Sequence, residues 1–170
     1  QEKNGQRFNK CNPNCQCGRF LEIGNSVFMQ YKKLEDGSFA VLPNKNVDFG
    51  GGLERLLMAV EDKNDIFETS LFSPIIKSVE RITDKIYSDF KPQMRIAVDH
   101  LIGSVFMIHN GVVPSNKEQG YVLRRLIRRA LDNINLIRGM ENINVPTRKV
   151  AESIIEQYTQ TDPDLVQNSE

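Results

Sequence analysis

Asp48 and Arg55 bracket three consecutive glycines in the run Val47-Asp48-Phe49-Gly50-Gly51-Gly52-Leu53-Glu54-Arg55. Residues without side chains let a ligand or another backbone approach closely. Leu53 to Val60 reads as a helix start, whose free N–H groups and positive dipole end lie just behind the glycines. A carboxylate on one side and a guanidinium on the other can sort an ammonium from a phosphate or a base ring. The run predicts a strand-to-helix corner built around a small charged ligand. A tight turn with no ligand is the plain structural alternative. No Gly-Lys-Ser/Thr follows, so the run is not a P-loop, and its glycine spacing is not that of a dinucleotide fingerprint.

A second group of chemically suggestive residues is Arg124, Arg125, Arg128 and Arg129. On a helix these form two i, i+4 pairs on adjacent rows. Like charges at that spacing repel, and an anionic partner such as a phosphate backbone relieves them. A solvated face paired with carboxylates elsewhere is the alternative. A third group is Cys11, Cys15 and Cys17, within seven residues of each other. Clustered thiolates suggest a zinc clip, but zinc takes four ligands, and His100 and His109 belong to a distant helix. A Pro/Asn-rich loop with free thiols, or a fourth ligand from a preceding segment, stays open beside it.

The elements that must position these groups run strand first and helix after. Residues 1–18 read as polar loop. A long strand is predicted over 19–32, interrupted at Gly24-Asn25, where glycine marks a bulge or a close approach. Asp36-Gly37 is a hairpin turn signal. Phe39–Leu42 reads as a short return strand, Pro43–Asn46 as a loop and Val47–Phe49 as a last short strand. A helix from Leu53 to about Asp62 follows. Ser73-Pro74 opens another, with Ile75, Ile76, Val79, Ile82 and Ile86 as its apolar stripe. A third helix spans about Pro92 to His109 and stops at Asn110-Gly111. A fourth spans about Asn116 to Ile137, with Val122, Leu123, Leu126, Ile127, Ala130, Leu131 and Ile134 on one side. Pro146 opens a fifth, and the tail from Thr161 is polar. The pattern predicts an α+β fold of two parts, 1–62 and 63–170, with a boundary between Glu61 and Asp65. The first part is too short for an independent core.

Composition narrows the class. A chain of 170 residues makes one or two small domains. Basic and acidic residues balance at 22 each, so no global field attracts nucleic acid and any RNA contact must be a local patch. The apolar stretches are far too short to span a bilayer. The start, Gln1 to Arg7, is polar, with no signal-like segment and no initiator Met, and leads to the expectation of a fragment from a longer cytoplasmic protein.

The string Gly50-x-Gly52-x-Glu54-Arg55 after a strand resembles the third signature motif of class II aminoacyl-tRNA synthetases. Phe20-Leu21-Glu22-Ile23-Gly24-Asn25-Ser26-Val27-Phe28-Met29-Gln30-Tyr31 resembles the preceding strand in the alanyl-tRNA synthetase family. Asp99-His100, the run Asn110 to Asn116, and Gly120-Tyr121-Val122-Leu123-Arg124-Arg125-Leu126-Ile127-Arg128-Arg129-Ala130 resemble that family's tRNA-recognition helices. The likeness covers residues 11 to 131, with these strings in the same order.

The resemblance implies antiparallel strands from the end of a class II synthetase-like sheet, followed by a mainly helical tRNA-recognition domain. It implies part of an alanine–tRNA ligase, which activates alanine with ATP and magnesium and transfers it to tRNA(Ala). On this reading the piece alone is inactive, because the two earlier basic motifs that grip ATP are not in it. Asp48 then binds the ammonium of alanine, Asn25 hydrogen-bonds the same ligand, and Val27 and Gly50 shape the pocket for its methyl group. Gly52 and Arg55 serve ATP, with Arg55 stacking on adenine. Glu22 is a candidate magnesium ligand. The resemblance also implies that this helical region reads a G·U wobble pair in the acceptor stem, with Asn116 on a base edge in the shallow groove of the A-form helix and the four arginines on its backbone. Each residue also has a structural alternative. Asp48 could cap the turn, Asn25 could satisfy a bulge, Arg55 could pair with Glu22 or a helix neighbour, Val27 could be core, Glu22 could be surface or structural, and Asn116 could be an N-cap. A non-catalytic helical tRNA-binding module on the same scaffold is the alternative for the whole.

Three positions depart from the family pattern. Gly24 stands where many bacterial members carry Trp, which leaves room in a wall near alanine that another side chain must fill. Ile102 stands where Arg is common. Asp132-Asn133-Ile134 replaces a basic, glycine-containing stretch. His100 is expected as a buried, hydrogen-bonded histidine, because the family reaction needs none.

Overall fold

The computed structural model describes residues 2–3, 6–7, 12–13, 18–139 and 146–167. The chain divides into two compact units, Gln1–Ile66 and Phe67–Glu170. Cys11, Cys15 and Cys17, and with them the zinc reading, lie outside the described residues.

In the first unit, β1 (Glu2–Lys3) pairs antiparallel with β2 (Gln6–Arg7), and β3 (Gly24–Lys33) pairs antiparallel with β4 (Phe39–Gly51). The turn between β3 and β4 follows its chemistry: Gly37 takes φ +85°, and Asp36 Oδ1 accepts from Ser38 N–H at 2.9 Å and Ser38 Oγ at 2.6 Å. Two expectations are corrected here. Residues 19–23 precede β3 instead of opening it, and the interruption falls further along, between Met29 and Tyr31. The loop expected at Pro43–Asn46 belongs to a single long β4. Between the pairs Met29↔Asn46 and Tyr31↔Val41, β3 spends only Gln30 while β4 spends Leu42 to Lys45. Proline has no N–H for the ladder, so the strand keeps its direction and the pairing breaks there.

Gly52 then turns the chain into α1 (Leu53–Val60). None of the described apolar side chains of this unit is buried. Phe28 is 76% exposed and Phe49 69%, on a hairpin with no third strand among the described residues.

The second unit carries the core. It contains α2 (Ser73–Thr83), α3 (Lys91–His109), α4 (Glu118–Arg138), α5 (Thr147–Tyr158) and the short α6 (Asp164–Gln167). Their buried stripes meet: Ile75, Ile76 and Val79 from α2; Met94, Ala97, Val98 and Leu101 from α3; Ala130, Ile134 and Ile137 from α4; Val150 and Ile154 from α5. α3 packs along α4, and α2 against α5. The helices end where their sequence signals stand. Pro74 lies in the first turn of α2, Gly111 takes φ +81° after α3, and Gly139 takes φ +64° as the C-cap of α4. Ile86 is not part of the α2 stripe, because α2 closes at Asp84 in the left-handed region and Ile86 is exposed. Val122 is likewise exposed, on the flank of α4. The tail expected to be polar instead forms α6, anchored by buried Leu165.

Candidate functional site

Asn25, Val27, Asp48 and Gly50 share one face of the β3–β4 hairpin. Asn25 stands directly opposite Gly50, and Val27 directly opposite Asp48. Directly opposed residues in an antiparallel pair point to the same side, with Cβ atoms about 5 Å apart. α1 follows Gly52 with no side-chain cap hydrogen bond. The ladder irregularity is remote from Asn25. Val27 is 47% exposed on the hairpin. The strip therefore offers an exposed carboxylate, an amide, a branched apolar side chain and a bare backbone in line. A carboxylate suits an ammonium, an amide donates or accepts, and a branched side chain next to glycine bounds a small apolar group.

Arg55 sits at the corner beyond this strip. Its Nη1 donates to the main-chain carbonyl of Glu22 at 3.1 Å, and its aliphatic stem lies over Gly52. A Cβ at Gly52 would stand 3.2 Å from Arg55 Cδ, so the glycine makes room for the arginine. The expected alternative of an Arg55–Glu22 ion pair is thus replaced by a main-chain bond. Glu22 and Arg55 are both exposed, and the guanidinium is anchored through one nitrogen. Glu22 fits a metal only as one ligand among several. Magnesium takes one or two carboxylates and fills the remaining positions with phosphate or water oxygens. No group of three or more His, Cys, Asp or Glu gathers among the described residues.

Gly24 does not wall the strip that holds Asp48. It opposes Gly51 and so points to the other face, since neighbours in a strand point apart. Phe49 fills the room there: a Cβ at Gly24 would stand 2.9 Å from Phe49 Cζ, and one at Gly51 would stand 3.1 Å from Phe49 Cε1. A cavity of about 450 Å³ opens on this side, lined by Gly24, Phe49, Gly51, Gly52, Leu53 and Leu56. Its lining is apolar and lacks Asp48, so it is not the cradle for a charged ligand.

In the second unit, Asn116 lies in the loop that leads into α4. It is not the N-cap, a place taken by Lys117 without a side-chain bond. Its Oδ1 instead accepts from Arg124 Nη1. Arg125 lies over the ring of Tyr121, 5.7 Å from its centroid. The side chains of Arg128 and Arg129 are exposed and make no ion pair with a described residue. A cavity of about 690 Å³ flanks the loop, between the end of α3 and the start of α4, lined by Phe106, Met107, Asn110, Val113, Gln119 and Gly120.

The departures also find their reasons in packing. Ile102 lies against the helical core, and Ile134 is fully buried within it. Asn133 Nδ2 donates to the Arg129 carbonyl at 2.7 Å. His100 is only half satisfied. Its Nδ1 is 3.0 Å from Asp99 Oδ2, while the buried Nε2 has no partner. Three relationships escaped the sequence reading: Phe49 over Gly24, Arg55 on the Glu22 carbonyl, and Arg124 on Asn116. For the first, Gly24 inside a strand pattern already pointed to a bulge or a close approach; for the last, Gly120 inside a helical pattern was the available signal.

With this geometry in view, the chain matches over residues 1–170 the family described as tRNA synthetases class II (A). It belongs to that family. It is similar to alanine–tRNA ligases from several organisms. It is 48% identical over 130 residues to that of Elusimicrobium minutum (strain Pei191), covering 75% of this chain and 15% of the relative. It is 46% identical over 126 residues to that of Borreliella afzelii (strain PKo), covering 71% and 21%. It is 37% identical over 163 residues to that of Acetivibrio thermocellus, covering 94% and 18%. The chain thus spans about a fifth or less of the length of these relatives. No described helix is long and apolar enough to cross a membrane.

Proposed function

We propose that this chain is part of an alanine–tRNA ligase acting in the cytoplasm, carrying the last strands of the aminoacylation domain (1–62) and an incomplete tRNA-recognition domain (63–170). The alanine carboxylate attacks the α-phosphorus of ATP, and pyrophosphate leaves with the bonding electrons. The terminal hydroxyl of tRNA(Ala) then attacks the carbonyl carbon, and AMP leaves. Asp48 takes the ammonium, Asn25 hydrogen-bonds the amino acid, and Val27 and Gly50 bound its methyl group. Gly52 and Arg55 receive the adenine end of ATP, and Glu22 would help to hold magnesium, which would offset charge on the phosphates. Catalysis here is positioning and charge stabilisation, not proton transfer by a side chain.

The observation that supports this reading best is the facing arrangement Asn25↔Gly50 and Val27↔Asp48, which lines up four residue types suited to one small zwitterion. The bare faces of the hairpin support the idea that further strands complete the sheet, since two strands alone are marginal in water. The test is alanine-dependent pyrophosphate exchange by the complete gene product that contains this chain. Asp48→Asn should lower kcat/KM at least a hundredfold, and the 170-residue chain alone should show no exchange. Unimpaired exchange in Asp48→Asn rejects the ammonium site.

A second reading is a non-catalytic helical tRNA-binding module. It is favoured by the confinement of every described buried apolar side chain to the second unit. Binding of tRNA(Ala) by the complete gene product, with no alanine activation, would select it.

A further inference from the structure

The side-chain amide of Asn116 is held, and so is the loop that carries it. Arg124 donates through Nη1 to Asn116 Oδ1. Ser115 N–H donates to the Gly120 carbonyl at 3.1 Å, which ties the loop to the first turn of α4. Ser115 Oγ donates to the Lys117 carbonyl at 3.0 Å and accepts the Lys117 N–H at 3.3 Å. A Cβ at Gly120 would stand 2.5 Å from the Val113 carbonyl oxygen, so only glycine lets the loop lie this close. Glu118, the first residue of α4, has φ +48°, a left-handed backbone that a non-glycine residue adopts only where its surroundings impose it. Asn116 is therefore flanked by fixed backbone on its helix side, and one of its two polar atoms is engaged.

We propose that Arg124 is a positioning residue for RNA recognition: it bonds the carbonyl oxygen of Asn116, so that the amide is held in one flip and presents its NH2 group to the RNA. This rests on the reading of α4 and its leading loop as the acceptor-stem contact. A free amide flips and offers either a donor or an acceptor at the same place. An amide whose oxygen bonds a guanidinium is held in one flip, and its NH2 group is the one left free to select an acceptor such as a base O2 or N3 or a ribose 2′ oxygen in the shallow groove. Among the four clustered arginines of α4, Arg124 is the one whose guanidinium bonds this loop. It leaves the task of holding phosphate to its neighbours.

The test is a double-mutant cycle in the complete gene product. The probes are two RNA hairpins of acceptor-stem length, one with a G·U pair in the stem and its twin with G·C. Asn116 and Arg124 are both exposed, so truncation does not threaten folding. Arg124→Ala and Asn116→Ala should each reduce the preference for the G·U hairpin about tenfold, and the double variant should be no worse than either single one. Asn116→Asp keeps an oxygen for Arg124 and removes the donor, so it should lose the preference as Asn116→Ala does. Arg124→Ala should leave the salt dependence of binding unchanged, whereas loss of a phosphate contact lowers that slope by about one. Additive losses in the double variant, a reduced salt slope with preference intact, or a preference retained by Asn116→Asp would each overturn the proposal. If Asn116→Ala itself leaves the preference intact, the underlying reading of the loop as an RNA contact fails. If Asn116→Ala is harmful and Arg124→Ala is harmless, only the positioning role fails.

Discussion

Val27 stands directly across the β3–β4 ladder from Asp48, so an isopropyl group and a carboxylate share one exposed face. A ligand whose ammonium meets Asp48 must place its next carbon substituent near Val27. One methylene in an apolar contact of this kind changes discrimination by about 10- to 200-fold. In the complete gene product, Val27→Ala should narrow the preference for alanine over 2-aminobutyrate about tenfold, mostly by admitting the larger substrate. Competition between the two amino acids in pyrophosphate exchange measures it. A preference that does not move would remove Val27 from the pocket.

Gly24 and Phe49 interlock on the opposite face. Any side chain at Gly24 starts 2.9 Å from the Phe49 ring. The contact is with the far end of a side chain, so the ring must swing aside. Phe49 is 69% exposed, so the ring can move at a cost below the roughly 1–3 kcal/mol of overpacking in a closed core. In the complete gene product Gly24→Ala should lower stability slightly, and Phe49→Leu should relieve the loss when combined with it. The KM for alanine should change far less than the stability, because Asp48 lies on the other face. Additive destabilisation by the two substitutions would show that the ring and the glycine are not coupled.

Asp36 makes the hairpin turn sensitive to acid. The hydroxyl of Ser38, and next its N–H, donate to the Asp36 carboxylate and hold its pKa below the ordinary value. The folded pKa is depressed, so the contribution is complete above the unfolded carboxylate pKa of about 3.9 and is lost as pH falls through the lower folded value. The Ser38 amide resonance should titrate with that depressed pKa. Ser38→Ala should return the Asp36 titration towards the ordinary range; an Asp36 titration unaffected by that change would rule out the turn bonds as its cause.

Periodicity made α2 to α5 legible, because Ile75, Val79, Met94, Ala130 and Ile154 recur at helical spacing and their stripes have one another to meet. The strip around Asp48 was legible for a related reason: residues two apart in a strand share a face. Gly24 misled because it adjoins Asn25 in sequence, and adjacency in a strand means opposite sides. Pro43 misled because proline removes a ladder bond without ending the extended backbone. The bond from Arg124 to Asn116 depends on how the loop folds back onto the first turn of α4. That fold-back rests on the absent side chain of Gly120, and no spacing rule expresses it.

Within the cluster Arg124, Arg125, Arg128 and Arg129, the last two make neither an ion pair nor a side-chain hydrogen bond or ring contact with a described residue. Four like charges on adjacent rows of one helix raise each other's energy unless an anion is near. If the anions are phosphates of an A-form stem, each arginine contributes a term that ignores sequence and fades with salt. Arg128→Ala and Arg129→Ala should therefore weaken the G·U and G·C hairpins equally. Each should lower the slope of log K against log salt by about one, and Arg128→Lys should restore most of the binding because a phosphate accepts a point charge as well as a fork. Titrations at two or more salt concentrations separate this from the behaviour of Arg124. Variants of Arg128 or Arg129 that shift the preference between the hairpins while leaving the slope intact would reject a phosphate-binding role for these two residues.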